Sequence, residues 1–476
     1  MARGCMTFFS NEEIERIHRA SIRMLEEVGI LVGSASVEKM LIDAGASGIR
    51  GSKRISVPES LVKGALASAP KSILLAGTGN TPDIRIPSTD HLYVAPGGEG
   101  VYIKDLVKGT VRTPTSKDLM DIAIIAESLP QIDFFWELVG AQDETDEEVK
   151  GLVEMKTSLS FMTKHLQSGA LSAHEAENQV EMASIVAGGR EKLAKRPIIS
   201  SVECPLSPLT FEDGLVEAQV VFARAGVPVV SMSASMAGLT SPVTIAGTVA
   251  QINAENLASL VITQTAKKDA PWIYSSDSVP ADLRTGSIDY GAFEAQLMRT
   301  AAGQMGRSYR MPTMVAGIGI EQTIATLGSV RDGIPFMINQ ALVPSDLGSG
   351  LGGLDQAAGA SLECLLADAW IWEVAREIIR DFDTDDDAIS IQTVREAAED
   401  GNFLTKKHTM ARFKKEMSST THQEAVLTGR KSSESQGALI KKAHEEVAKI
   451  LKKPKDPVLP KDVIKQLDDI VRKAKS

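Results

Sequence analysis

Aromatic side chains make up only 4% of the chain, yet Phe134, Phe135, Trp136, Trp272, Tyr274, Tyr290 and Phe293 gather around two short apolar runs that also carry Glu137 and Asp277. Aromatic faces beside carboxylates suit a quaternary ammonium ion, which offers no hydrogen-bond donor and is held by cation–π and charge attraction. Trp136, Glu137, Trp272, Tyr274 and Asp277 are therefore candidates to bind such a cation, and the same rings would serve equally as strand core. Glu203, beside Cys204 and Pro205 at the end of another apolar run, is a candidate to orient the ammonium or a hydroxyl, or to cap a structural turn. Metal chemistry has little support: His18, His91, His165, His174, His408, His422 and His444 show no pairing at ligand spacing, and Cys5, Cys204 and Cys364 are isolated from one another. No bound metal is expected.

These candidates share a setting. Each lies in or just after a short apolar run that leads through a polar or Gly/Pro turn into a helical stretch. The runs are Phe134 to Val139, Leu166 to Ala170, Ile198 to Val202, Val227 to Met232, Trp272 to Ser276, Thr313 to Ala316, a weak one near Leu342 to Leu347 and a weaker one near Ala388 to Ile391. Such alternation forces parallel strands joined by crossover helices, and seven or eight units over about 270 residues match a (β/α)8 TIM barrel, with reactive groups at the C-terminal ends of its strands. A doubly wound open sheet fits less well, because no strand-to-helix turn carries the spaced glycines of a dinucleotide loop.

The expected fold class is thus α/β. A barrel at residues 126–427 would be preceded by an N-terminal α+β cap at 1–125 and followed by a basic helical C-terminal extension at 428–476. The cap opens with Ser10 and Glu13 in capping-box spacing. The run Asp383, Asp385, Asp386, Asp387 reads as a solvated turn, since it lacks the Gly and terminal Glu of a calcium loop.

Charge excludes further classes. The chain of 476 residues carries a net −11, but residues from Arg430 onward hold an excess of six positive charges, so the body before them stands at −17. An acidic body repels phosphate backbones and attracts cations, which argues against nucleic acid and for a small cationic substrate. No run reaches the length of a membrane span and the first residues hold no signal-like apolar stretch, so the expected location is the cytoplasm.

The phrases APGGEGVYIKDLVKGTVRTPTSKDL (Ala95 to Leu119), ECPLSPLT (Glu203 to Thr210), GLTSPVTIAGTVAQINAENLASLVITQ (Gly238 to Gln264), DLRTGSIDYGAFE (Asp282 to Glu294) and FLTKKHTMARFKKE (Phe403 to Glu416) together resemble the trimethylamine methyltransferase superfamily, from the first helix to about Leu427. The resemblance implies a homo-oligomeric barrel enzyme that moves a methyl group from a methylated amine to the cobalt of a corrinoid (cobalamin) carried by a partner protein. The branch acting on trimethylamine carries pyrrolysine in a Gly-rich segment. Here that segment, Gly348-Ser349-Gly350-Leu351-Gly352-Gly353-Leu354-Asp355, holds only standard residues. The chain is thus similar to the branch lacking pyrrolysine, whose members demethylate betaines such as glycine betaine. It departs from the family at Gly317-Ile318-Gly319-Ile320-Glu321-Gln322 and at Ser345-Asp346-Leu347-Gly348. By the resemblance, Asp346 and the glycines Gly348, Gly350, Gly352 and Gly353 would line the mouth where the corrinoid docks, and His408 would meet a carboxylate tail.

A quaternary substrate and the missing residue belong together chemically. Attack of cobalt(I) on the methyl carbon expels a neutral tertiary amine, so no general acid is needed, and the protein's tasks are desolvation, alignment and electrostatics. Two other readings stand beside this one. A barrel lyase or hydrolase on a small polar acid would need a convergent acid/base pair such as Glu203 with His408; a non-catalytic betaine-binding protein would need neither.

Overall fold

The computed structural model describes residues 4–317, 337–380, 382–416 and 438–475. At its centre eight strands form one all-parallel sheet: β1 (Tyr93–Pro96), β2 (Phe135–Trp136), β3 (Leu166–Ser168), β4 (Ile199–Glu203), β5 (Val229–Ser233), β6 (Trp272–Ser276), β7 (Thr313–Val315) and β8 (Leu347–Leu351), each next to its neighbour in sequence, with β8 beside β1. The sheet closes where the Asp133 backbone N–H donates to the Val94 carbonyl at 2.8 Å and Gly100 bridges Val139. Following the register from Tyr93 through Leu347, Met314, Ser275 and Met232, and on across β4, β3 and β2, the row returns to β1 at Val101 instead of Tyr93. That displacement of about eight residues is the stagger of a TIM barrel.

Helices α1 (Ser116–Ser128), α2 (Glu147–Phe161), α3 (Ala173–Ala187), α4 (Asp213–Ala225), α5 (Ile245–Ala266) and α6 (Phe293–Ser308) follow β1 to β6, and α7 (Leu362–Ala375) follows β8. Capping explains several of their starts. Thr115 and Asp118 form a reciprocal box at α1, and Ser172, Thr244 and Ser361 accept first-turn N–H groups of α3, α5 and α7. Helix α5 is buried on every side because the N-terminal helices Asn11–Arg23 and Glu59–Ser68 cover its outer face. Among the described residues no helix is long and apolar enough to cross a membrane.

The lumen is filled by alternate residues of the strands. Ala95, Phe134, Val202, Val230, Met232, Ile273, Met314 and Leu347 share one buried cluster with the antiparallel hairpin Ile73–Leu75/Ile84–Ile86, which plugs the N-terminal end. The intervening residues of the strands pack instead against the helices.

Two expectations are corrected here. The segment near Ala388 to Ile391 is no strand: Asp385 caps a short helix, Asp386–Ile389, and the acidic run is clamped by Arg412 and Lys415. The missing strand is Tyr93–Pro96, inside the stretch expected to be cap. The basic tail packs on its own barrel: helix α8 (Ala438–Lys452) lies on α7 and α1, and helix α9 (Lys461–Ala474) lies on α2 and α3, with Lys156–Asp468 and Lys475–Glu144 as ion pairs.

Asp346 also sits elsewhere than expected. It precedes β8 at the N-terminal end of the barrel, where its fully buried carboxylate accepts from the Ser88 and Thr313 backbone N–H groups, both at 2.8 Å, and from Arg307 at 2.6 Å. It ties three segments of the floor together. Asp346→Ala should cost about 3 kcal/mol or more of stability, read by chemical denaturation, because it strands buried donors and a partly buried guanidinium. It should leave ligand affinity at the opposite end unchanged.

Candidate active site

The C-terminal mouth is built outward from β1. Its strand runs into Gly97-Gly98-Glu99-Gly100, with φ of 142°, 129° and 49° at the first three. Positive φ is costly for glutamate and marks a position held by its surroundings. Gly97 is required by close approach: a Cβ there would lie 2.6 Å from the Trp136 ring. The loop backbone therefore rests on the indole, and Trp136 donates its N–H to Glu99 Oε1 at 3.2 Å. Phe134 and Trp136 face the lumen while Phe135 faces the helices, so Trp136 is a lumen aromatic at the rim.

Glu99 and Cys204 keep solvent-accessible surface, yet desolvation is the largest cause of a raised pKa in both. That combination describes the wall of a deep recess. The Cys204 thiol is pushed up further by the nearby carboxylates of Asp277, Glu203 and Glu99. Burial raises Glu203 to about 8; Ser201 donates to one of its oxygens, and the other is buried without a partner. Between it and α4 lies a hollow of about 10 Å³. Burial raises Asp277 to about 6, with Tyr290 donating to Oδ2 at 2.6 Å and Oδ1 left without a hydrogen bond.

Behind the rim stands a second tier. Burial and the neighbouring Glu99 hold Glu137 well above the usual carboxylate range, and Ser158 of α2 donates to it at 3.0 Å. Glu154 and Glu175 are each raised to about 7, again chiefly by burial. The barrel thus concentrates carboxylates that resist ionisation on their own and would ionise readily beside a cation.

Of the residues expected at the site, the fold brings Trp136 and Asp277 to the lumen side of the mouth; Glu137 and Glu203 lie at the same end of the barrel but face the helices, Glu203 in register with Ser231 and Tyr274. Toward the exit of β8, Gly350 and Gly352, at φ of 115° and 87°, and Gly353 join them, whereas Gly348 lies lower, two residues after Asp346 and level with Val94. Trp272 and Tyr274 do not join them. Ile273 takes the lumen position, so its neighbours point outward. Trp272 donates its indole N–H to Ser259 of α5 at 3.3 Å, and Tyr274 packs edge-on against it beneath the same helix. His408 lies on helix Lys407–Glu416, bonded to the Asp387 carbonyl at 3.0 Å. It does not pair with Glu203, so the acid/base pair of the lyase reading is not formed. Residues Ile318 to Gln322 of the divergent Gly-rich pattern lie outside the described residues, as does His422.

Among the described residues one group has donor atoms close enough to share a metal: Asp105, Glu363 and His444, the last on tail helix α8. Its charges are mutually engaged, His444 by Glu363 at 2.8 Å and Asp105 by Lys108 at 3.1 Å. Gln167 was counted among the strand-end residues without being given a role, and Glu99 was passed over; the phrase APGGEG, with three glycines around one acid, was the available signal for Glu99.

The family model for trimethylamine methyltransferase matches residues 2–476. The chain belongs to the trimethylamine methyltransferase family. Within the family it is 27% identical to trimethylamine methyltransferase MttB of Desulfitobacterium hafniense, over 97% of this chain and 93% of that one. It is 26% identical to a glycine betaine methyltransferase of the same species, over 87% and 85%. The monomethylamine methyltransferase of Methanosarcina barkeri superposes with a TM-score of 0.56 over 94% of this chain and 90% of its own, at 12% identity, a likeness of fold. As a member of the trimethylamine methyltransferase family, the chain is a methyl-transferring enzyme on a TIM barrel.

Proposed function

We propose that this methyltransferase takes a methyl group from a quaternary amine, the class to which glycine betaine belongs, and delivers it to cobalt(I) of a corrinoid held by a partner protein. The observation that carries this reading is the Trp136–Glu99 pair: a lumen-facing indole at the rim whose N–H is already taken by a carboxylate, so that its face is what remains to offer a ligand. A cation packed there gains the ring's quadrupole together with the field of the surrounding carboxylates.

The reaction needs little else from the chain. The methyl carbon leaves nitrogen with its bond to the metal forming as the C–N bond breaks, and the electron pair of that bond stays on nitrogen as a neutral tertiary amine. Charge disperses along this path. A ring face and partly protonated carboxylates stabilise the bound cation less than fixed charges would, which keeps the ground state from being held more tightly than the transition state. Gly350 to Gly353 let the backbone of β8 lie close to a bulky macrocycle at the mouth.

The rim supports a protein partner. Val101, Leu171, Leu206, Leu239, Leu283 and Phe293 come from five different strand-to-helix connections, and all are exposed, Phe293 by 91%. Apolar residues collected round one opening mark an interaction surface. A homo-oligomeric assembly is part of the same reading.

Incubation of the protein with chemically reduced cobalamin and a panel of quaternary amines tests the proposal. Methylcobalamin, followed by its absorbance, should appear with at least one quaternary amine and not with secondary or tertiary amines. Formation from the latter alone, or none from any donor, overturns it.

A further inference from the structure

Below Trp136 the lumen holds polar atoms that satisfy nothing in the protein. Gln167 on β3 is 1% exposed, and neither its amide oxygen nor its amide nitrogen has a hydrogen-bond partner. The hydroxyl of Ser275 on β6 is fully buried and equally without one. A buried amide that makes no hydrogen bond costs roughly 1–3 kcal/mol per group, and such groups in folded proteins call for an explanation.

Both side chains point into the barrel. Gln167 is in register with lumen-facing Trp136, and Ser275 with lumen-facing Met232 and Met314. They also stand at one height. The hydrogen-bonded row from Ser275 passes Met232 and, continued at the registers of β4 and β3, reaches β3 at Leu171. A barrel row climbs about one residue per strand. Level with Ser275 on β3 is therefore Ser168, next to Gln167. Ser275 is held rigidly: Asn256 of α5 accepts its backbone N–H at 3.1 Å and donates to its carbonyl at 2.9 Å. Two unpartnered groups thus face each other across the lumen, under the rim occupied by Trp136 and Glu99.

Resting on the quaternary-amine reading, we propose that Gln167 and Ser275 form a subsite for the substrate's tail, and that this tail is a neutral hydrogen-bonding group, a hydroxyl or amide, rather than a carboxylate. Geometry requires the tail to point inward. The methyl group must face the open C-terminal end, where the acceptor arrives, so the remainder of the molecule extends toward the floor. An amide and a hydroxyl supply both donors and acceptors, matching an alcohol or amide. Among the described residues, the positive charge near there is already matched by a carboxylate. His165, one layer lower, is bonded to Ser200 at 3.0 Å and to the Ala76 carbonyl, and burial keeps it neutral at pH 7. Arg299, 1% exposed, stands beside Gly317 at the exits of β6 and β7, stacked over Tyr290, and its charge is already matched by Asp277. A carboxylate placed beneath the acidic rim would be buried among like charges without compensation.

Titration calorimetry of the full chain with tetramethylammonium, choline and glycine betaine tests this. Choline should bind at least tenfold more tightly than tetramethylammonium, and glycine betaine more weakly than choline. Gln167→Leu should erase the preference for choline while leaving tetramethylammonium affinity unchanged; Ser275→Ala should erase part of it. Leucine fills the same space and removes an unsatisfied buried amide, so the variant should fold with an unchanged or higher melting temperature; Gln167→Met serves as the second variant. Equal binding of choline and tetramethylammonium, a preference surviving in both Gln167 variants, or tighter binding of glycine betaine would overturn the subsite. If all three bind without discrimination and methylcobalamin still forms, only the subsite falls. If none binds, the quaternary-amine reading falls with it.

Discussion

Alanine at Trp136 is expected to weaken binding of a quaternary ammonium ligand by about 5- to 30-fold, the equivalent of about 1–2 kcal/mol of cation–π attraction in a desolvated site. Alanine at Trp272 is expected to leave that affinity intact and to lower the unfolding free energy by about 3–5 kcal/mol. The contrast follows from the phase of two strands. On β2 the indole faces the lumen and meets the loop of Gly97 and Glu99. On β6 the indole faces the helices, is fully buried, and has its N–H directed at Ser259. Removing it leaves a cavity between sheet and helix that rigid α5, clamped from outside by two N-terminal helices, cannot close. Calorimetric titration paired with denaturant unfolding of each variant separates the two roles. A Trp272→Ala protein that is stable but fails to bind, or a Trp136→Ala protein that binds normally, would reverse the assignment of faces.

That phase was the part of the site least legible in the sequence. Rhythm alone identified six of the eight strands and the barrel, because a strand, a turn and a helix repeat at recognisable spacing; the run near Leu342 to Leu347 meets the strand Leu347–Leu351 only at its last residue. Barrel strands are buried on both faces, however, so the sequence Trp-Ile-Tyr-Ser-Ser at residues 272–276 carries no polar alternation to tell inside from outside. The eye falls on Trp272 and Tyr274, and the lumen position belongs to Ile273. The first strand, legible at Leu92 to Val94, reads as part of the cap for a different reason. Tyr93–Pro96 is followed by the antiparallel hairpin at Tyr102–Lys104 and Val111–Arg112, which makes the region read as α+β until the register shows β8 beside it. Asp346 misled because a strand's floor and mouth look alike in one dimension; only Thr313, Ser88 and Arg307 converging on its carboxylate reveal the N-terminal end. Glu99 was visible as an acid among glycines, but its strained backbone and its bond to Trp136 are properties of the folded loop.

Affinity for a cationic ligand should rise steeply with pH between 6 and 9. The groups at and behind the mouth titrate abnormally high: Asp277 at about 6, Glu154 and Glu175 at about 7, Glu203 at about 8, all because burial disfavours their charged forms. In the empty protein at pH 6 much of this cluster is protonated and neutral. A bound cation favours the ionised forms, so binding expels protons, and each proton released at a given pH makes affinity climb by up to tenfold per pH unit. Stability of the empty protein should run the other way. Carboxylates whose folded pKa exceeds the unfolded value near 4.5 contribute their stabilisation while protonated, and that contribution is lost as pH rises through about 6 to 8. The melting temperature without ligand should therefore fall over that interval, while the increment produced by saturating ligand grows. Calorimetry in two buffers of different ionisation enthalpy counts the protons directly. A count near zero with pH-independent affinity would mean that the cation lies beyond the reach of Glu203 and Asp277, and that the acidic mouth serves steering alone. A positive count that falls in Glu203→Gln would assign a proton to Glu203, one of the carboxylates with an oxygen buried without a hydrogen bond.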